Sequence, residues 1–300
     1  MIAAELTRAL GYLWYTHGQT QEAIGWLERV RGTGVELSVQ LKATVLYWYG
    51  HFADRRGDAG PAVAALEESA ALLATTDDVS RTARALNALG AMRLGHRDLA
   101  GARLALEEAR RLMADSPDPD DHHTLAHVDV NLAAVGLESG QLAEARRRLE
   151  RALAIVAERG DRWAVASAQR DLARVAATEG DLAEAHGLAA AALETFAEWR
   201  DHNCVAETIE VLAGMAARTG QVVTSARLVG AAGAVREAVG GSMTALDRAR
   251  LARETAPARA TLGPDGFAAA AAEGASMTFE QAVGHALHRS AERPGRVGAG

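Results

Sequence analysis

One pattern recurs six times in the first 230 residues and constrains the fold more than any other feature. Each copy has a leucine or tyrosine followed by glycine or alanine, usually a glycine seven residues later, a small residue five further on, and an apolar residue four after that. The copies begin at Leu10, Tyr49, Leu89, Leu132, Leu172 and Leu212. The small residues after the glycine are spaced by 39 to 43 residues. Such self-similarity predicts an array of repeated supersecondary units.

The spacing within a copy indicates a pair of helices joined by a turn. Small residues let two helices approach closely, and the glycine supplies the left-handed conformation that ends the first helix. In the third copy Arg97 stands at the glycine position. The pattern is that of a tetratricopeptide repeat, lengthened beyond its usual ~34 residues. We therefore expect an all-α, right-handed, tetratricopeptide-like α-solenoid of about six helix hairpins over residues 1–240.

After residue 240 the pattern lapses, and different helical signals follow. The expected elements are a helix over 245–262, a turn over 263–266, a helix from about 267, and a helix over 278–288. The last begins with a capping box, because Thr278 is followed three residues later by Gln281. Arrays of this kind need a terminal unit that covers their open end, so we expect residues 241–289 to form a C-terminal helical cap. Residues 290–300 are expected to be a disordered tail.

The composition argues against several classes of protein. The net charge of −7 and the absence of a sustained basic block disfavour direct nucleic-acid binding. A single cysteine, Cys204, excludes an internal disulfide framework and fits a reducing compartment. No apolar run reaches the length of a membrane span, and the first ten residues do not resemble a signal peptide. We expect a cytoplasmic protein without a membrane partner.

No catalytic motif is present in the sequence. The only lysine, Lys42, is not part of a phosphate-binding loop, and neither His-Glu-x-x-His, Gly-x-Ser-x-Gly nor Cys-x-x-Cys occurs. The sequence therefore predicts a protein that is not an enzyme and that needs no cofactor.

One segment resembles a metal site. In the stretch from Asp120 to Asp129, His123 and His127 are four residues apart and share a helix face with Asp120. In the alternative interpretation the aspartates cap the helix, His122 and His123 are solvated, and His127 faces a groove. No fourth ligand occurs at a useful spacing, so we expect no bound metal, although the alternative of a metal-dependent protein stays open.

The aromatic residues cluster at the N-terminal end, where seven of the nine Trp and Tyr residues fall within the first 49 positions. The first helices of stacked hairpins line one concave surface, and we predict that this surface is a groove for a protein or peptide partner or a small-molecule effector. The predicted groove residues are Tyr12, Tyr15, Tyr47, His51, Asp54, Arg84, Asn87, His127, Asn131, Arg170, Arg174, Glu207 and Glu210. Four further aromatic residues are expected in the core: Trp14, Trp26, Trp48 and Tyr49.

Several phrases in the sequence resemble a known family. The N-terminal phrases are ALGYLWYTHG over 9–18 and EAIGWLERV over 22–30, and the tail phrases are ARLVGAAGAVREAVG over 226–240, LGPDGFAAA over 262–270, Glu273-Gly274 and MTFEQAV over 277–283. Together they are similar to the C-terminal tetratricopeptide-repeat region of actinobacterial ATP-binding LuxR-type and AfsR/SARP-type transcriptional regulators. The resemblance covers about residues 5–288, and the tail phrases are its most specific part.

The resemblance implies a sensory or protein-interaction arm that controls an ATPase module and a DNA-binding domain. The residues of those two modules do not occur here, so neither ATP hydrolysis nor DNA binding is implied. A free-standing adaptor or oligomerisation scaffold, for example a homodimer, is the alternative that the sequence leaves open.

Overall fold

The computed structural model describes residues 6, 9–11, 13–14, 19–34, 36–114, 116 and 118–289, and every regular element in these ranges is a helix. The predicted all-α class is therefore confirmed for this part of the chain. The chain divides into two compact units, Met1–Gln141 and Leu142–Gly300, here called unit 1 and unit 2. No helix in the described ranges is long and apolar enough to cross a bilayer.

The helices are numbered in chain order, starting after the partly described N-terminal stretch. Those of unit 1 are α1 (Thr20–Gly32), α2 (Val39–Arg56), α3 (Ala59–Leu73), α4 (Val79–Gly95), α5 (Leu99–Met113) and α6 (Pro119–Glu138). Those of unit 2 are α7 (Leu142–Glu158), α8 (Arg162–Glu179), α9 (Leu182–Glu198), α10 (His202–Arg218), α11 (Val222–Glu237), α12 (Ala245–Glu254), α13 (Ala256–Ala275) and α14 (Phe279–Arg289).

The hairpins of unit 1 form where the repeat pattern predicts them. At Gly50 in α2, an added Cβ atom would lie 2.8 Å from the Cγ atom of Leu66 in α3, and at Gly90 in α4 it would lie 2.5 Å from the Cγ atom of Leu106 in α5. These distances are too short for any side chain, so the two helices of each hairpin touch at the glycine. The small residue and the apolar residue of the repeat pattern are thus contact partners.

The turns that close the hairpins have the predicted left-handed backbone. Gly57 has φ 94° in unit 1, and Gly180 and Gly220 have φ 97° and 76° in unit 2. Arg97 adopts φ 68° at the equivalent position, so a residue with a Cβ atom takes the conformation that glycine supplies elsewhere. Helix starts are fixed by aspartates that accept a backbone N–H three residues on, namely Asp78, Asp98, Asp161, Asp181 and Asp201.

The core of unit 2 lies between the paired helices α8 with α9 and α10 with α11. Its largest fully buried side chains include Leu193, Phe196, Ile209 and Leu228, and alanines fill the closest contacts. Alanine is therefore frequent because the helix pairs need small side chains at fixed positions.

The predicted continuous helix over 245–262 is wrong, because α12 ends at Glu254 and α13 begins at Ala256. Thr255 has φ −94° and ψ 1°, and Pro257 lacks the N–H that would continue the α12 hydrogen-bond ladder. The predicted interruption near residue 263 is confirmed as a kink, since Gly263 has φ 68° and ψ 171° inside the span of α13.

Helix α13 packs against α11 through a reciprocal pair of glycines. A Cβ atom added to Gly230 would lie 1.8 Å from the carbonyl oxygen of Ala271, and one added to Gly274 would lie 1.9 Å from the carbonyl oxygen of Arg227. Backbone therefore lies directly against backbone at this crossing. Three of these four residues, Arg227, Gly230 and Gly274, belong to the tail phrases that carry the family resemblance.

Helix α14 begins with the predicted capping box. The backbone N–H of Gln281 donates to the Oγ1 atom of Thr278 at 3.2 Å, and the backbone N–H of Thr278 donates to the Oε1 atom of Gln281 at 2.9 Å. The domain boundary at residue 240 stays a prediction, and the predicted tail over 290–300 lies outside the described residues.

The core assignment of the N-terminal aromatic residues is correct except at Trp26. Trp14 and Tyr49 are buried, and the ring of Trp48 packs against the backbone of Gly11. Trp26 is 40% exposed, and the guanidinium of Arg29 covers its ring at 4.3 Å. The buried side of α1 is defined by residues on either side of position 26, which turns the indole outward.

Candidate functional site

Seven of the predicted groove residues lie on the first helices of the hairpins in unit 1. We call them the unit 1 polar face: Tyr47, His51 and Asp54 on α2, Arg84 and Asn87 on α4, and His127 and Asn131 on α6. Tyr12 and Tyr15, which were also predicted, lie outside the described residues.

Side chains of the unit 1 polar face connect neighbouring first helices. The side-chain amide of Asn131 donates to the Oδ1 atom of Asn87 at 2.9 Å. The Nε atom of Arg84 donates to the Oγ1 atom of Thr124 at 3.3 Å, and that hydroxyl donates in turn to a backbone carbonyl one turn earlier in α6. These residues therefore form one continuous polar surface over α4 and α6.

The α2 end of the same face is aromatic. The rings of Tyr47 and His51 meet edge to face with centroids 4.6 Å apart, and Tyr47 meets Trp48 at 5.4 Å. Burial, reinforced by the charge of Arg55, lowers the pKa of His51 to about 4, so the imidazole is neutral at pH 7. Further along the helix, Asp54 lies 2.8 Å from the Nε2 atom of His96. This end of the face is therefore formed by aromatic rings and a buried neutral imidazole.

The Asp120–Asp129 segment starts α6, and its aspartates take part in structural contacts. Asp118 caps the helix, the hydroxyl of Ser116 donates to Asp121 at 2.6 Å, and the guanidinium of Arg110 lies 3.3 Å from the fully buried Asp129. The rings of His123 and His127 meet edge to face, with centroids 4.8 Å apart. These contacts support a structural role for Asp121 and Asp129.

The predicted groove residues of unit 2 belong to a buried group of alternating charges. We call it the unit 2 charge cluster, and its members are Arg170, Asp171 and Arg174 on α8, Glu207 and Glu210 on α10, Arg236 on α11, and Asp247 and Arg250 on α12. Four of these residues were predicted and four were not.

The ion pairs of the cluster connect α8 to α10 and α11 to α10. Arg170 reaches Glu207 at 2.6 Å, and Arg236 reaches Glu210 at 2.6 Å with both side chains less than a tenth exposed. On α8 itself, Asp171 lies 3.2 Å from the Nη1 atom of Arg174. Charge-assisted contacts of this kind are short and directional, and the desolvation of the buried partners offsets most of their attraction.

The pKa values of the cluster reflect burial opposed by neighbouring charges. Burial raises the pKa of both Glu207 and Glu210, while Arg170 and Arg236 oppose the rise. Burial alone would also raise the pKa of Asp171, but Arg170 and Arg174 hold that pKa below its ordinary value. The acids of one cluster thus have pKa values shifted in opposite directions, because burial outweighs the arginines at Glu207 and Glu210, whereas the arginines outweigh burial at Asp171.

Helix α12 supplies two of the four cluster residues that the sequence did not predict. Arg250 forms an ion pair with Asp247 one turn earlier, and the hydroxyl of Thr244 donates to the same Asp247 at 2.6 Å. Charges three residues apart on a helix are usually solvated, so nothing local marks them as buried. The missed residues of unit 1, Thr124 and His96, likewise contact a side chain of a neighbouring hairpin.

Comparison with known proteins supports the repeat assignment. Residues 124–198 match a family model described as tetratricopeptide repeat. No curated protein sequence matched the chain.

Two solved structures have similar folds at low sequence identity. The first, a variant of the nearly identical TPR-like repeats of a kinesin light chain candidate of Podosopora anserina, is 21% identical, with a TM-score of 0.51 over 67% of this chain and 99% of that chain. The second, a Rap protein complexed with Competence and Sporulation Factor, is 12% identical, with a TM-score of 0.57 over 96% of this chain and 98% of that chain. At these identities the likeness establishes the fold alone. The chain therefore contains a tetratricopeptide repeat region within an all-α helical array.

Proposed function

We propose that this chain is a non-enzymatic interaction scaffold that binds a partner protein, through an extended peptide segment, on the unit 1 polar face. The observation that carries the proposal is the direct hydrogen bonding between first helices, above all Asn131 to Asn87 at 2.9 Å. Side chains that only cover a solvated helix surface do not need to form hydrogen bonds with the neighbouring hairpin. The Rap protein of similar fold was solved in complex with a factor, which is compatible with a ligand-binding role for this fold.

The chemistry of the unit 1 polar face suits a peptide. Each asparagine amide has donor and acceptor positions beyond those used in the Asn87–Asn131 bond, and these match backbone N–H and C=O groups. Arg84 is exposed and offers further N–H donors to an acidic side chain. Tyr47 presents an aromatic edge to an apolar side chain.

The proposal predicts that peptides selected from a random display library bind through this face. We expect the Arg84→Ala, Asn131→Ala double variant to bind the selected peptides at least ~10-fold more weakly, because two polar contacts of about 1 kcal/mol each are lost. The affinities are measured by fluorescence polarisation with labelled peptides.

The matched control is Leu104→Ala on α5. Leu104 is 71% exposed and lies on the second helix of its hairpin, so its loss leaves peptide affinity unchanged. Selected peptides that bind the double variant as tightly as the wild-type chain would exclude the unit 1 polar face as their site.

We also propose that the scaffold is the sensory or interaction arm of a transcriptional regulator of the LuxR or SARP type, acting in the cytoplasm. The support is the family resemblance, whose tail phrases include the two glycines of the α11–α13 crossing. The test is to find whether an ATPase module is encoded in the same reading frame or operon, and to titrate this chain with that module. Absence of any such module from the neighbourhood would contradict the regulatory context.

Exposed apolar side chains favour one alternative, a free-standing adaptor that associates with itself. Trp199 and Val223 in unit 2 are 53% and 41% exposed. The molar mass in solution, measured by light scattering, distinguishes this alternative from a monomer. Elemental analysis of untagged protein tests the separate metal hypothesis for His123 and His127.

A further inference from the structure

Helix α12 is attached to unit 2 mainly through charged side chains. It has ten residues, and its only buried apolar side chain is Leu246. Asp247 and Arg250 belong to the unit 2 charge cluster, and Arg250 is less than a tenth exposed. A helix of this length with one buried apolar side chain gains little from the hydrophobic effect.

The surface that α12 covers is shaped to accept a helix. A Cβ atom added to Gly214 on α10 would lie 2.9 Å from the Oε2 atom and 3.1 Å from the Cβ atom of Glu254. In the repeat pattern, position 214 corresponds to Arg174 on α8 and to His51 on α2, which both carry large side chains. The glycine leaves room for a helix beside α10 that those two repeats do not provide.

The three residues by which α12 faces this surface are regularly spaced. Asp247, Arg250 and Glu254 follow each other at intervals of three and four residues, which places them on one helix face. Glu254 stabilises the charge of Arg174, whereas Arg250 opposes that charge and instead stabilises the charge of Asp171. The face of α12 that contacts this surface therefore carries an acid, an arginine and a second acid.

A cluster of this kind is a poor means of fixing a helix permanently. Desolvation of buried ions offsets most of their mutual attraction, so apolar side chains of similar size would hold α12 at least as well. Helix α13 shows the contrast, because it is locked to α11 by backbone contacts at Gly230 and Gly274. Helix α12 follows Gly240, which has φ 65°, and it ends at the helix break at Thr255, so a change of chain direction lies on either side of it.

We propose that this surface of unit 2 is a second binding site, for a partner helix that presents an acid, an arginine three residues later and an acid four further on. In the free chain α12 occupies the site as an internal ligand, and a partner helix displaces it. The site is separate from the unit 1 polar face, and the proposal does not depend on the function assigned to that face.

The test uses the full chain and a fluorescent synthetic peptide of residues 242–256 as the probe. In the Asp247→Ala, Arg250→Ala variant the internal helix loses two of its three charged contacts and keeps Glu254, while three basic and three acidic members of the cluster remain. We expect this variant to bind the peptide at least ~10-fold more tightly than the wild-type chain, in which α12 competes. A peptide with the residues at 247 and 250 exchanged is expected to bind at least ~10-fold more weakly.

Two glycine variants locate the binding surface. Gly214→Leu, added to the double variant, fills the space beside α10 and is expected to abolish peptide binding. Gly187→Leu on α9 is the control, because nothing lies within 4 Å of a Cβ atom at that exposed position. Equal affinity for the two peptides, equal affinity of the wild-type chain and double variant, or retained binding with Gly214→Leu would overturn the proposal.

Hydrogen exchange of the wild-type chain provides a measurement that needs no variant. We expect amides of α12 to exchange at least ~10-fold faster than those in α13, through local release of the helix. Amides of α12 that are protected as strongly as those of α13 would show that α12 is a fixed part of the core, and the proposal would fail.

Discussion

Gly90 determines how closely α4 and α5 pack, and it provides a test of the hairpin contact. A methyl group at this position would meet the fully buried side chain of Leu106 at 2.5 Å, which has little room to move. We expect Gly90→Ala to lower the free energy of unfolding by about 1–3 kcal/mol, although alanine is the better helix former. Urea denaturation followed by circular dichroism measures the change.

Gly187→Ala is the matched substitution without a steric cost. Gly187 is exposed in the interior of α9, with nothing within 4 Å of an added Cβ atom. Here the greater helix propensity of alanine is expected to raise stability by about 0.5–1 kcal/mol. The packing predicts that the free energy of unfolding falls in Gly90→Ala and rises in Gly187→Ala. A change of the same sign in both variants would contradict the assigned contact at Gly90.

His51 makes stability depend on pH in a window set by its lowered pKa. The folded imidazole has a pKa of about 4, whereas in the unfolded chain it takes up a proton below about pH 6.5. The part of the free energy of unfolding that depends on a neutral His51 is complete above pH 6.5. It is lost as the pH falls toward 4, at up to about 1.4 kcal/mol per pH unit. Relative to the wild-type chain, His51→Gln is therefore expected to lose less stability over this window.

The measurement compares the pH dependence of urea midpoints for the two proteins between pH 6.5 and 4. Parallel curves would mean that His51 titrates alike in the folded and unfolded chains, against the burial that the structure gives it. A pH-dependent difference that appears only below pH 4 would contradict the window.

At the scale of helices, the sequence predicts the hairpins well and the C-terminal segment in part. The repeat pattern identifies hairpins because the same residues that specify it, such as Gly50 and Leu66, are the contacts between helices. The sequence pattern does not predict the break at Thr255, because good helix formers continue across it, although Pro257 has no N–H to donate to the preceding turn.

The crossing of α11 and α13 yields a second matched pair on one helix. An added methyl group at Gly230 would meet the backbone of α13 at 1.8 Å, whereas nothing lies within 4 Å at Gly233. Backbone cannot move aside as a side chain can, so Gly230→Ala is expected to displace α13 and to cost about 3 kcal/mol or more. Gly233→Ala is expected to be neutral or stabilising.

Hydrogen exchange in α13, together with urea denaturation, measures both effects. Unchanged protection of α13 in Gly230→Ala would show that the crossing does not hold the helix.

At the scale of the whole molecule, fold class could be predicted from the sequence, whereas only part of the candidate site could. The polar residues of the unit 1 polar face were found because they recur on the first helices, where register alone selects them. Asp247 and Arg250 could not be found, because their burial depends on α12 folding back against residues some seventy positions earlier in the chain, such as Arg174. Local patterns carry no information about such long-range contacts.

The stability of the molecule resides in its alanine-rich cores rather than in its many surface ion pairs. Contacts such as Lys42 to Glu68 and Arg162 to Glu198 join half-exposed side chains, and exposed pairs of this kind contribute about 0–1 kcal/mol each. The net charge of −7 therefore has more influence on association with other molecules than on the choice of fold.

The glycine crossing of α11 and α13 also bears on how this array could have grown. Repeat arrays lengthen by tandem duplication, and each added hairpin needs a free helix surface against which to stack. Helix α13 occupies that surface on α11, with no space for even one methyl group between the backbones. Duplication could therefore add hairpins before α11, but a copy inserted after Glu237 would separate two helices whose backbones are in direct contact.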